Sequence, residues 1–136
     1  MIRVLGIDHL VLRTTNVATM VAFYQAVLGC NVVRDELDSL GLIQLSAGDA
    51  LIDLVKVDSE LWRLGGVAPT NHNNNLDHFC LRLANISNQA LESHLALHRV
   101  EREGFSSKNG AQGFGDSVYI FDPDGNRVEL KSERVE

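Results

Sequence analysis

The residues with most chemistry in this chain come in a phrase that occurs twice. Ile7-Asp8-His9-Leu10-Val11-Leu12-Arg13 returns as Leu76-Asp77-His78-Phe79-Cys80-Leu81-Arg82, and each half later closes on an acid among aliphatics, Leu51-Ile52-Asp53-Leu54 and Arg127-Val128-Glu129-Leu130. Two neutral imidazoles and two carboxylates suit a borderline divalent ion such as Ni, Co, Zn, Mn or Fe(II). The two carboxylate charges cancel those of the ion. An ion of octahedral preference keeps positions for water, and a substrate with two adjacent oxygens replaces that water. Such an ion stabilises the charge that develops on an enediolate, while a carboxylate beside it moves a proton. His9, Asp53, His78 and Glu129 are therefore the candidate metal ligands.

Strands must position these groups. Side chains alternate along a strand, so His9 shares a face with Val11 and Arg13, while Leu10 and Leu12 turn to the opposite layer. The same parity groups His78 with Cys80 and Arg82, and Glu129 with Arg127 and Lys131. Asp53 stands between Leu51 and Val55 on one face, where an isolated carboxylate is expensive to bury unless paired or metal-bound. Arg13 and Arg82 either neutralise these acids or meet a small anionic substrate; two such arginines in an acidic chain favour the anion. Asp8 and Asp77 point away from the histidine face and are expected to pair with backbone or solvent. Cys80 reads as small core filler. His94 and His98, four apart on a helix, read as a solvated face, and His72 as a solvated loop residue.

The elements repeat with the phrase. A strand over 5–13 leads to a helix capped by Asn16, burying Val17, Met20, Val21, Tyr24 and Leu28, and stopping at Gly29. Strands are expected near 30–35, 41–46 and 50–57, the last two joined by a tight turn at Gly48-Asp49. The second half offers a strand over 76–83 and a helix near 88–103, capped by Ser87, with Leu91 and Leu95 inward and an end at Gly104. Strands follow near 105–108, 116–121 and 127–132, with Asp122-Pro123-Asp124-Gly125-Asn126 as the last turn. Between the halves, 58–75 is a Gly- and Asn-rich linker with one short helical turn at Trp62. The expected fold is α+β: two tandem βαβββ modules, about 5–57 and 76–132, in one domain spanning 1–136. Copies of a module that cannot bury its own sheet face pack together. The facing copies come either from one chain or from two, and the second arrangement needs a dimer.

Composition narrows the function classes. The chain has 136 residues, 45% of them hydrophobic, and a net charge of −6. An ordinary globular core is available. No Lys/Arg run offers a phosphate-neutralising stripe, which argues against nucleic acid as a partner. No apolar run approaches the roughly 20 residues of a membrane span, and the start lacks the pattern of a signal peptide. Cys30 and Cys80 form neither a Cys-x-x-Cys pair nor a disulfide framework, so a cytoplasmic location is the simplest expectation.

The Asp-His strand openings, Phe23-Tyr24-x-x-Val27-Leu28-Gly29 and Asp122-Pro123-Asp124-Gly125-Asn126-x-x-Glu129-Leu130 together resemble the vicinal oxygen chelate superfamily. This is the group of glyoxalase I, bleomycin-resistance proteins and extradiol dioxygenases, and the resemblance covers nearly the whole chain. It implies the two-module fold, a homodimer and one divalent metal ion per site. Glyoxalase I takes one His and one carboxylate from each module, which match His9, Asp53, His78 and Glu129, with Asp53 standing where that enzyme has Glu. The resemblance makes Glu129 the proton-transferring base and Arg13 the holder of a glutathione carboxylate, with glutathione as a possible co-substrate. The implied activity is that of a glyoxalase I-like lyase (lactoylglutathione lyase) on a 2-oxoaldehyde–thiol adduct through a metal-bound enediolate. Departures are Val57 in place of an asparagine contact and no basic residue in Asn109-Gly110-Ala111-Gln112-Gly113-Phe114-Gly115. That stretch, with Ser117 and Tyr119, is more similar to the fosfomycin-resistance thiol transferases, where the two residues match phosphonate contacts. The alternatives are thus a metal-dependent thiol transferase or dioxygenase on the same scaffold, or a non-catalytic binding protein of the bleomycin-resistance kind.

Overall fold

Alternation and capping build the same small sheet twice. In the first unit, Met1–Thr70, β1 (His9–Thr14) is followed by α1 (Val17–Ala26) and β2 (Val32–Glu36). A short helix α2 (Leu37–Leu40) then precedes β3 (Leu42–Ala47) and β4 (Ala50–Lys56). The sheet order is β1-β4-β3-β2, with β1 parallel to β4 and the other pairs antiparallel. The molecule is described here from a computed structural model, which covers residues 1–64, 67–70 and 75–133.

Asn16 caps α1 by accepting a bond from the Thr19 N–H at 3.1 Å, as its side chain chemistry predicts. The helix lies against β3 and β4, and Met20, Tyr24, Leu45, Ile52 and Leu54 are almost wholly buried. Each such side chain contributes roughly 1.5–3 kcal/mol when removed from water. This apolar layer uses one face of the sheet and leaves the other to the polar residues. Gly48, at φ +61°, turns β3 into β4 as expected.

Two boundaries differ from the sequence reading. β1 begins at His9 rather than residue 5, because its partner runs out: Leu51 N–H bonds to Asp8 O at 3.0 Å, and β4 starts at Ala50. The α2 turn lies where sequence suggested only a connection; Asp35 accepts from the Leu37 N–H, and Gly41 at φ +75° ends it.

The second unit, residues 71–136, repeats the plan. It runs β5 (Phe79–Leu83), α3 (Asn88–Leu97), β6 (Ser106–Lys108), β7 (Gly115–Phe121) and β8 (Arg127–Ser132). The order β5-β8-β7-β6 mirrors the first sheet, again with one parallel pair, β5 and β8. Ser87 caps α3 through the Ala90 N–H at 3.1 Å, and Leu91 and Leu95 are buried.

α3 stops well before Gly104. Arg99 adopts φ +55°, Val100 N–H bonds to Leu95 O, and Arg99 N–H bonds to Ala96 O. That is the left-handed helix ending that glycine usually supplies, here filled by an arginine. In the linker, the expected helical turn is a short 3₁₀ segment, Trp62–Leu64. No helix among the described residues is long and apolar enough to cross a membrane. The sequence reading of a two-sheet α+β fold built from βαβββ modules therefore holds.

Candidate functional site

The two sheets place their acids at equivalent points. β4 sets Asp53 beside Val11 of β1 and Gln44 of β3. β8 sets Glu129 beside Cys80 of β5 and Tyr119 of β7. Cross-strand neighbours share a face, so each acid lies on the same sheet face as its repeat's histidine. The Asp122 turn fixes β8: its carboxylate accepts from the Asp124 and Asn126 N–H groups at 3.0 and 2.9 Å.

In the first unit, His9 Nε2 lies 4.0 Å from Asp53 Oδ2. Asp53 is buried, and both its oxygens accept from the Gln44 amide, at 3.1 and 3.2 Å. Buried polar atoms need such partners. Gln44 was not singled out from sequence; its signal was a lone polar residue within the apolar run Leu42-Ile43-Gln44-Leu45.

In the second unit, Glu129 is also buried, and register sets the Cys80 thiol and the Tyr119 phenol on either side of it. Burial opposes its ionisation, but the pull of that thiol and phenol and the charges of His78 and Lys131 outweigh it, holding the carboxyl below its ordinary range. The other partners shift the opposite way. The Glu129 carboxylate, with burial behind it, raises the Tyr119 phenol, and burial, then Glu129, pushes the Cys80 thiol up to about 12. Cys80 is thus not the small core filler expected; the residue is exposed and stands beside Glu129 in register, on the histidine face that strand parity gave it.

Asp8 and Asp77 also correct the sequence reading. Each binds the histidine that follows it rather than backbone or solvent alone, with Asp8 Oδ1 at 2.6 Å from His9 Nδ1 and Asp77 Oδ2 at 2.6 Å from His78 Nδ1. Both residues precede their strands, so strict alternation does not bind their side chains. The hydrogen bond that His9 donates to Asp8 raises the His9 pKa, and the one that His78 donates to Asp77 lowers the Asp77 pKa. A carboxylate on Nδ1 keeps the proton there and leaves Nε2 as the free lone pair.

The remaining predicted residues are spread over the same faces. Arg13 is exposed on β1, in register with Val55. Ser117 lies between Ser106 and Lys131 in register; its Oγ is buried and without a hydrogen-bond partner among the described residues. Tyr119 meets His78 edge to face at 5.1 Å between ring centres. Arg82 stands 3.7 Å from Glu133, and Lys131 Nζ donates to Gly113 O at 2.5 Å. His94 and His98 have ring centres 4.7 Å apart at the end of α3, and His72 lies outside the described residues. Each unit thus contributes one His–carboxylate pair. Among the described residues no three His, Cys, Asp or Glu side chains gather into one metal-binding cluster.

Comparisons with known proteins agree with this fold. The family model described as "Glyoxalase/Bleomycin resistance protein/Dioxygenase superfamily" matches residues 6–130. The chain is similar to virulence protein STM3117 of Salmonella typhimurium, 32% identical over 124 residues that cover 91% of this chain and 81% of that protein. It is also similar to the integron cassette protein VCH_CASS1 from the mobile metagenome of V. cholerae. That structure has a TM-score of 0.74 and 27% identity, with 98% of this chain and 99% of that one covered. Two further structures share the fold alone. The fosfomycin resistance protein FosX of Listeria monocytogenes has a TM-score of 0.70 and 16% identity, over 98% of this chain and 95% of its own. The lactoylglutathione lyase of Agrobacterium tumefaciens has a TM-score of 0.64 and 18% identity, over 96% and 95%.

Proposed function

From a chain that belongs to the glyoxalase/bleomycin resistance protein/dioxygenase superfamily, we propose a cytoplasmic, homodimeric, divalent-metal-dependent lyase of the glyoxalase I type. Its substrate is a 2-oxoaldehyde–thiol adduct or a related 2-oxo compound. The observation that carries this reading is the pair of Asp–His contacts at 2.6 Å, which leave Nε2 of both His9 and His78 free on the sheet face that holds a buried acid. Two such nitrogens and the oxygens of Asp53 and Glu129 form a donor set that fits Ni, Co, Zn, Mn or Fe(II).

When bound, the ion supplies the positive charge against which an enediolate oxygen develops. The protein's own residues supply the rest. Glu129, ionised and aimed by Tyr119 and Cys80, takes the proton from the carbon that carries the thiol sulfur. It returns that proton to the neighbouring carbon while the hydroxyl proton of the first carbon passes to the neighbouring oxygen, which converts an oxoaldehyde adduct into a hydroxyacyl thioester. Asp53, steadied by Gln44, completes the ligand set without a proton-transfer role. Arg13 holds the anionic tail of the thiol, glutathione among the candidates, and Ser117 and Tyr119 line the substrate side.

The test is isomerase activity on the methylglyoxal–glutathione hemithioacetal, using metal-stripped protein reloaded with each ion in turn. Turnover should require metal and fall at least about 100-fold in Asp53→Ala, since loss of an outer-shell partner alone costs 10–100-fold. Stoichiometric metal binding with no turnover would remove this substrate from the reading.

The buried Ser117 hydroxyl beside Lys131, without a hydrogen-bond partner among the described residues, favours a second reading, a thiol transferase of the fosfomycin-resistance type. It would take a phosphonate-bearing epoxide and need only His9, His78 and Glu129. Asp53→Ala separates the two: a transferase retains activity on the epoxide, and the isomerase does not retain its own.

A further inference from the structure

The second unit surrounds its histidine and its acid with one residue that the first unit lacks. β1–β4 register sets His9 opposite Leu51, two residues before Asp53, and the equivalent place in the second unit, two residues before Glu129, is Arg127. Leu51 offers Asp8 no charge. Arg127 offers Asp77 a guanidinium, with Nη1 3.6 Å from Asp77 Oδ2, the oxygen that also lies against His78 Nδ1. Its guanidinium carbon sits 3.8 Å from the centre of the Tyr119 ring. Tyr119 in turn stands opposite Glu129 in the β7–β8 register and packs on the edge of His78. Glu103 holds Nη2 at 3.1 Å and fixes the guanidinium plane.

We propose that Arg127 is a positioning residue that ties the second unit's ligand histidine to its carboxylate, acting on His78 through Asp77 and on Glu129 through Tyr119. A flat cation is needed for both arms, because it must stack on a ring while its edge meets a carboxylate. The fold keeps it there although Nε is buried with no hydrogen-bond partner among the described residues, an unfavourable state for a donor. The first unit lacks the device, since Leu51 stands at the place of Arg127 in the repeat.

The inference rests on the metal-ligand reading of His78 and Glu129, so its test includes a measurement that needs no metal. Nitrogen-15 NMR of the histidine rings, in metal-free protein at alkaline pH, reads which ring nitrogen carries the proton. Wild type should show the Nδ1–H form for both His9 and His78. Arg127→Leu, which installs the first unit's residue, should turn His78 into a mixture of tautomers and leave His9 unchanged. Co(II) titration should show a loss of about 10-fold or more in Arg127→Leu, the usual scale for an outer-shell partner. Arg127→Lys keeps the charge without the flat stack and should fall between the two. An unchanged His78 tautomer and unchanged Co(II) affinity in folded Arg127→Leu would overturn the proposal. So would a change of His9 equal to that of His78, which marks general damage. If Arg127→Leu does not fold, Asp77→Ala and Tyr119→Phe cut the two arms singly; wild-type tautomers and affinity in both would overturn it equally. Failure of wild type to bind Co(II) would sink the metal reading, while the tautomer result would still decide the role of Arg127.

Discussion

At the scale of single residues, the acids are held by neighbours chosen for what they donate. Asp53 has an amide and Glu129 has a thiol and a phenol. The thiol carries a consequence that its exposure hides. Thiolate is the reactive form, and burial of the sulfur together with the Glu129 carboxylate pushes the Cys80 pKa up to about 12. Against a free thiol near 8.5, that leaves roughly two thousandfold less thiolate at pH 8. Metal-free protein at pH 8 should therefore be alkylated by iodoacetamide at Cys80 far more slowly than an unfolded control, and Glu129→Gln should speed the reaction. Labelling of Cys80 at the unfolded rate would contradict that shift. The ligand types were legible in the sequence because a repeated Asp-His phrase and a repeated acid need no structure to be noticed. Their supporting residues were not. Gln44 and Tyr119 reach the acids only across a strand pair, and the register that brings them there is set by turns at Gly48 and Asp122 rather than by spacing along the chain. Asp8 and Asp77 were misjudged because alternation was extended to residues that precede the strands.

At the scale of elements, the helix starts followed from local chemistry, as did the left-handed ending of α1 at Gly29, and the end of α3 did not. Asn16 and Ser87 cap as their side chains dictate. α3 instead ends on Arg99 in a left-handed conformation that sequence assigns by default to glycine. The missed α2 turn is defined by Gly41, and that glycine differs in kind from the one that follows α1. Both have positive φ, +75° at Gly41 and +67° at Gly29. A Cβ at Gly29 would meet nothing within 4 Å, whereas one at Gly41 would lie 2.1 Å from Ser59 Cβ. Ser59 cannot simply rotate away, since its backbone N–H bonds to Lys56 O and its hydroxyl accepts from the Trp62 N–H. Gly29→Ala should cost about 1 kcal/mol from backbone conformation alone. Gly41→Ala adds overpacking of about 1–3 kcal/mol. Urea denaturation of the two variants checks the ranking, and equal losses would show that the contact between α2 and the start of the linker carries no weight.

At the scale of the whole chain, duplication explains why the chemistry is split. A βαβββ unit sets one imidazole and one carboxylate on a sheet face, a pair too small to hold an ion tightly by itself. The metal reading therefore makes a demand that a one-unit site would not. If His9 and Asp53 act with His78 and Glu129 on one ion, Co(II) binds with one equivalent per chain. Removing either pair, as His9→Ala with Asp53→Ala or as His78→Ala with Glu129→Ala, should weaken binding by at least about 100-fold, beyond what outer-shell losses produce. The same pairs govern stability. An ion at 100 times its Kd stabilises the folded chain by about 2.7 kcal/mol, so the metal-induced rise in Tm should vanish in both double variants alike. Independent sites would behave otherwise: up to two equivalents per chain, with one double variant keeping the surviving pair's affinity and half of the thermal shift. Isothermal titration beside thermal melts of wild type and the two double variants separates these outcomes. One equivalent lost from either side would mean that neither unit has a complete site, which is the property that gives an internally repeated chain a reason to keep both its acids and both its histidines.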